Sequence, residues 1–167
     1  MPSLRKRAPR QSAAADPTDA AADDRAALAL LARRDFACAE LAARLRERGF
    51  EPAVIESLIA RLRERRVLDD GRYAGHFVEY HSRRGQGPVR IRRDLAAAGV
   101  AAEVVEAALE AGPDWEGLAA QVRRRRFGAK APQVWREKAR QARFLQYRGF
   151  SHDHIRSALG NDFEVDQ

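Results

Sequence analysis

The sequence predicts an all-α protein, an elongated tandem array of three three-helix repeats behind a disordered N-terminal arm. Three observations predict it. After residue 25, apolar residues recur at spacings of three and four through almost the whole chain, as in helices that bury one stripe. Three glycines, Gly49, Gly99 and Gly149, stand fifty residues apart. Around them the apolar positions coincide: Leu45, Leu95 and Leu145 lie four residues before, Ile55, Val105 and Ile155 six after, and Ile59, Leu109 and Leu159 ten after. A fixed period of this size marks supersecondary units that must stack on one another to complete a core.

Residues 1–25 are rich in Ala, Pro, Asp, Ser and Arg and carry no apolar period, so they cannot offset the entropy of ordering and read as an arm. Arg5, Lys6, Arg7 and Arg10 are placed to touch a polyanion, or are simply solvated. No apolar core follows these charges, so the segment is not a secretory signal. The first repeat, 26–68, opens with a helix carrying Leu28, Leu31 and Ala32. A second helix carries Leu41 and Leu45 and stops at Gly49-Phe50, and a third carries Ile55, Leu58, Ile59 and Leu62.

The second repeat, 69–112, begins with Asp70 as helix cap, and its first helix carries Tyr73, Phe77, Tyr80 and His81. Gly87-Pro88 then starts a helix with proline in the first turn, where its missing N–H costs nothing. Ile91, Leu95 and Ala98 form its stripe. Gly99 ends it in the left-handed conformation, with Val100 tucking back as the apolar partner of that cap. Val105, Ala108 and Leu109 face inward from the third helix. The third repeat, 113–167, starts at Asp114 with Trp115, Leu118 and Val122. It departs from the pattern at Gln141, where Leu41 and Ile91 are apolar, and at His154, where Val54 and Val104 stand. Its middle helix is expected to rotate so as to use Ala142, Phe144 and Leu145, as terminal repeats often differ.

Lys and Arg number 31 against 24 acidic residues, a net charge of +7, and the only lysines are Lys6, Lys130 and Lys138. Arginine in such excess suits bidentate contact with phosphates and carboxylates. Cys38 is the sole cysteine, so no intrachain disulfide forms and a reducing compartment fits. No apolar run approaches the ~20 residues of a membrane span, so a cytoplasmic protein is expected. Catalytic signals are missing: the histidine pairs have the wrong spacing for a helical metal site, and neither a phosphate loop nor paired carboxylates occur. No catalytic residue, cofactor or metal is therefore assigned.

The positive charge is clustered. Arg83, Arg84, Arg90, Arg92 and Arg93 lie in an eleven-residue stretch without an acid. From Arg123 to Arg148 ten basic residues face Glu137 alone. Residues 26–70 are nearly neutral, with nine basic and eight acidic residues. Both basic stretches cover the join between the first and second helices of a repeat, so they are expected to form a stripe on one side of the array. That is the footprint of a polyanion partner. The candidate contacts are Arg83, Arg84, Arg90, Arg92 and Arg93 with Arg123, Arg124, Arg125, Arg126 and Lys130. Trp135, Phe127 and Tyr147 interleave with the second cluster; helical spacing points Trp135 and Tyr147 to the core and leaves Phe127 open.

The run Asp69-Asp70-Gly71-Arg72-Tyr73-Ala74, the stretch from Arg83-Arg84-Gly85-Gln86-Gly87-Pro88 to Leu95, Gly99-Val100, and the two Arg-Gly-Phe turns closely resemble the signature of the bacterial RecX regulatory proteins. The resemblance covers roughly residues 26–160. It implies a cytoplasmic modulator, mostly an inhibitor, of the RecA recombinase in DNA recombination, repair and the SOS response. By resemblance, the chain lies in the groove of the RecA filament on single-stranded DNA and lowers ATPase and strand exchange. The rival reading is a general helical DNA-binding protein, against which no single helix carries the polar base-reading set that specific readout usually uses. A protein-only scaffold is the other. A monomer is expected, because no apolar stripe is left over.

Overall fold

The computed structural model describes residues 17–160, which contain nine α-helices and no strand. In chain order these are α1 (Pro17–Leu31), α2 (Cys38–Glu47), α3 (Pro52–Glu64), α4 (Asp70–Arg83), α5 (Pro88–Ala97), α6 (Ala102–Glu110), α7 (Trp115–Phe127), α8 (Trp135–Arg148) and α9 (His152–Leu159). They fall in three successive sets of three. The described residues form two compact units, one with α1 that ends at Arg34 and one with α2 to α9 that begins at Asp35. The arm expected over 1–25 lies outside the described residues as far as residue 16, and from Pro17 it is helix. Ala20, Ala21, Ala22, Ala26 and Ala27 supply strong local helix preference where no apolar stripe announces one.

The turn after the second helix of each set has one geometry. Gly49, Gly99 and Gly149 adopt φ of +86°, +79° and +90°, the left-handed region a Cβ penalises. The next N–H reaches back to a helix carbonyl: Phe50 to Leu45 at 3.2 Å, Val100 to Leu95 at 3.2 Å, Phe150 to Leu145 at 3.1 Å. The glycine N–H groups bond Arg46, Ala96 and Gln146 at 3.0, 2.9 and 2.9 Å. Carbonyls at the helix end, which have no partner within the helix, are thereby satisfied. Val100 and Phe150 are buried against the helices they follow.

The apolar stripes meet as their spacing requires. Leu41, Leu45, Ile55, Leu58 and Leu62 are buried on α2 and α3. Ala74, Val78, Ile91, Leu95, Val100, Val105 and Leu109 form the core of α4 to α6, with Tyr73, Phe77, Ala108 and Trp115 packed around it. Ala119, Val122, Ala142, Leu145, Phe150, Ile155 and Leu159 form that of α7 to α9. Each fully buried Leu or Ile contributes about 1.5–3 kcal/mol.

Successive sets are joined by a recurring contact, in which the start of one second helix meets the glycine turn of the next set. Ala37, just before α2, is part of the α4–α6 core, and a Cβ on Gly99 would strike Ala39. Farther along, Gly87 N–H donates to Arg148 O at 2.9 Å and Val89 N–H to Gly149 O at 3.0 Å. A Cβ on Gly87 would strike the Gly149 carbonyl, and one on Gly149 would strike Arg90.

Three expectations are corrected. The cap of α4 is Asp69, accepting from Arg72 N–H at 3.0 Å, whereas Asp114 caps α7 as anticipated. Asp70 instead accepts the Cys38 N–H at 2.8 Å. It caps α2 from another repeat, because Ala37 has no side chain able to do so. Trp135 and Tyr147 are not core but 67% and 78% exposed. Ala142 and Leu145 turn inward as expected, yet Gln141 stays inside too, 5% exposed. Its partner is Arg123, also 5% exposed, whose Nη1 donates to Gln141 Oε1 at 3.4 Å and to Lys130 O at 3.1 Å. Nη2 donates to Ala129 O at 3.3 Å. The caps Asp69 and Asp114 are 45 residues apart, not fifty, so the link from α7 to α8 is longer than that from α4 to α5. Arg123 turns inward to hold that longer link.

Burial, and then the charge of Asp70, push the Cys38 thiol up to about 11. Alkylation by iodoacetamide at pH 8 should run roughly tenfold or more slower in the native than in the urea-unfolded chain. It should climb as pH nears 11, and Asp70→Asn should move that rise to lower pH; equal native and unfolded rates would refute the assignment. Gly149→Ala combines a left-handed backbone with a blocked joint, whereas Gly49 has the same backbone and nothing within 4 Å. In urea unfolding Gly49→Ala should cost about 1–2 kcal/mol, and Gly149→Ala a further ~1–3 kcal/mol from overpacking. Equal losses would remove the joint from the account. Arg123→Ala should lower stability by ~1–3 kcal/mol, against less than ~0.5 kcal/mol for the exposed Arg124→Ala.

Candidate functional site

The end of a helix is a favourable place for cations, because its free carbonyls carry partial negative charge. α4 and α7 both use it: Arg83 and Arg84 follow one another at the end of α4, and Arg124, Arg125 and Arg126 fill the last turn of α7. On α5 the arginines meet carboxylates of their own repeat. Arg92 makes a two-pronged pair with Glu106, Nε to Oε1 at 2.6 Å and Nη2 to Oε2 at 2.8 Å. The pairing raises the Arg92 pKa and lowers that of Glu106. Arg93 Nη2 lies 2.8 Å from Asp94 Oδ1, and Arg90 Nε 3.6 Å from Asp94 Oδ2. Arg83 pairs with Glu79 at 2.6 Å. The exposed pairs of Arg83, Arg92 and Arg93 contribute little and exchange readily for another anion, whereas Arg90 is half-buried and its Nε is enclosed.

Arg84 is different. Its Nη1 donates to Tyr80 Oη at 3.1 Å, and its guanidinium lies 5.3 Å from that ring centre. In the third repeat, Arg125 and Arg124 are exposed and make no ion pair among the described residues. Arg126 and Arg140 both sit over Phe127, at 5.6 and 5.4 Å. Phe127 itself is half-buried, edge-on to Phe144 with ring centres 5.2 Å apart. Lys130 is exposed on the link to α8. Arg123, expected among the surface contacts, is instead the buried residue that holds this link. Burial, then the neighbouring Arg124, lower its pKa.

The fold brings part of the predicted set together. Arg83, Arg84, Arg125 and Arg126 converge with Arg148 and Phe144 on a cleft of about 220 Å³ between the second and third repeats. Among the described residues no carboxylate lines it. Arg148 is held there by Nη1 donating to Arg84 O at 3.1 Å and by Phe144, 5.4 Å away. Gly85, with φ of +75°, lets the α4–α5 turn lie on Val122 of α7, 3.0 Å from where a Cβ would be. Arg90, Arg92, Arg93, Arg124 and Lys130 do not line this cleft. Sequence reasoning counted Arg148 in the basic stretch and in an Arg-Gly-Phe turn but not among the candidate contacts, and took Phe144 only as core. The arginine that follows Tyr147 in a basic stretch was the available signal. Among the described residues no group of three or more His, Cys, Asp or Glu could hold a metal, and no helix is long and apolar enough to cross a membrane.

Comparison with known proteins covers nearly the whole described chain. Residues 25–62, 69–109 and 114–159 match the models of the first, second and third three-helix domains of RecX. The chain is 47% identical over 143 residues to the regulatory protein RecX of Halorhodospira halophila, covering 85% of this chain and 89% of that one. It is 43% identical over 142 residues to that of Pseudomonas fluorescens, covering 84% and 92%. The crystal structure of RecX from Lactobacillus salivarius has the same fold, with a TM-score of 0.73 at 22% identity over 84% of this chain and 94% of that one. With three domain models in order and close relatives along most of its length, the chain belongs to the RecX family.

Proposed function

We propose that this protein is a non-catalytic, monomeric, cytoplasmic regulator of the RecA recombinase. It binds RecA assembled on single-stranded DNA and lowers ATPase and strand exchange, and so tunes recombination, repair and the SOS response. The observation that carries this reading is the cleft in which arginines of two repeats converge without a lining carboxylate. A polyanionic partner is what such a site suits. Membership of a family whose relatives are named regulatory proteins supports regulation over catalysis. A chain of similar repeats also suits a partner made of similar protomers, since several weak contacts made together favour polymer over free subunit. The exposed pairs of Arg83, Arg92 and Arg93 are available to exchange their own carboxylates for those of the filament or for DNA phosphates, and Arg124 and Lys130 extend the same basic character.

The test is the single-strand-DNA-dependent ATPase of RecA from the same source, titrated with this protein. The rate should fall at ratios well below one per recombinase. An unchanged rate alongside salt-sensitive binding to bare DNA would replace this reading with that of a general helical DNA-binding protein.

A further inference from the structure

We propose that the cleft between the second and third repeats is a phosphate clamp, which takes a backbone phosphate of single-stranded nucleic acid and locks the joint between the two repeats. The choice of polyanion rests on the filament reading above; the clamp itself rests on geometry. Its guanidinium groups come from three directions: Arg83 and Arg84 from the end of α4, Arg125 and Arg126 from the end of α7, and Arg148 from the end of α8. Among the described residues only Arg83 of these five has a carboxylate partner, Glu79. A carboxylate offers two oxygens in one plane, which satisfies one arginine fork. A phosphodiester carries two charged non-bridging oxygens whose lone pairs are not confined to one plane, which suits forks arriving from several helices.

Two of the arginines are already in place. Arg84 is held on Tyr80, and Arg148 is held by the Arg84 carbonyl and Phe144. Groups ordered before binding lose less freedom when they bind. The small cleft and its setting favour a flexible strand over a duplex. Tyr80, bonded to Arg84, is 58% exposed, and Tyr147, beside Arg148 in sequence, is 78% exposed, so both offer ring surface to unpaired bases. The same arginines flank the joint. Gly87 N–H bonds Arg148 O, and Arg148 Nη1 bonds Arg84 O. A phosphate bridging Arg84 and Arg125 therefore ties together the two repeats that this joint connects, and occupancy stabilises the native chain.

The experiment uses the full chain and a fluorescein-labelled oligothymidylate, followed by anisotropy across a range of NaCl concentrations. Arg125→Gln/Arg126→Gln changes two arginines that make no bond across the joint, so the fold is retained, as its unfolding transition will verify. Affinity should fall about tenfold or more, and the slope of log K against log[salt] should flatten by ~0.7 for each phosphate that is no longer neutralised. Arg44→Gln, on an exposed pair with Glu47, should change neither. The oligonucleotide should raise the Tm of the wild type but not of the double variant. An unchanged affinity and slope, with binding to the RecA filament abolished, would mean the cleft takes protein carboxylates and would overturn the proposal. Binding of inorganic pyrophosphate that the oligonucleotide does not displace would overturn the nucleic-acid source. If oligonucleotide binding depends on the cleft while RecA ATPase is insensitive to the wild-type protein, the clamp stands and the filament reading fails.

Discussion

The structure of α2 to α9 depends on one contact, the start of a second helix seated on the glycine turn of the next repeat. A helix start has N–H groups without partners and a helix end has carbonyls without partners. At the α5–α8 joint these two deficits meet, with Gly87 and Val89 donating to Arg148 and Gly149. Their dipoles are also opposed in sign, so the arrangement is favourable beyond the bonds themselves. The approach is so close that side chains are excluded from both surfaces, and glycine stands at each. This explains where the fifty-residue period is kept. It holds for the second and third helices of each set, which the turn connects, and lapses to 45 between the caps of α4 and α7.

The repeat and the cores were legible because they are local. A glycine after a leucine stripe states a turn through backbone sterics alone, and the same residues recur three times. What the sequence left unread depends on partners far along the chain. Asp69 and Asp70 are equal candidates for a cap by local rules; the second is taken by Cys38, 32 residues away, because Ala37 leaves that helix start open. Gln141 looked like a defect in an apolar stripe. It is half of a buried pair with Arg123, and that pair exists because the link between α7 and α8 is long enough to need its carbonyls held. Trp135 fits a helical stripe by spacing, but it stands in the extra first turn of α8, which α2 and α5 lack.

The candidate site divides in the same way. Clustering of arginine was visible in the sequence, and it located the two ends of α4 and α7 correctly. Counting charges could not tell which of them stay uncompensated. Glu106 stands fourteen residues from Arg92 yet neutralises it, and Asp94 draws both Arg90 and Arg93. Arg148, sixty-four residues from Arg84, adds to the cleft instead. Folding thus sorts one basic composition into paired arginines, one buried arginine and a convergent group.

That sorting places the convergent group beside the joint. An array of repeats transmits shape only through its joints, since each repeat otherwise has its own core. The α5–α8 joint has a fixed backbone approach but is flanked by like charges, which repel and so oppose closure at low ionic strength. An anion in the cleft reverses that sign, making the same residues hold the joint together. Affinity and rigidity are therefore coupled through Arg84 and Arg148, and any partner that supplies phosphates at this point also sets how firmly the third repeat is held to the second.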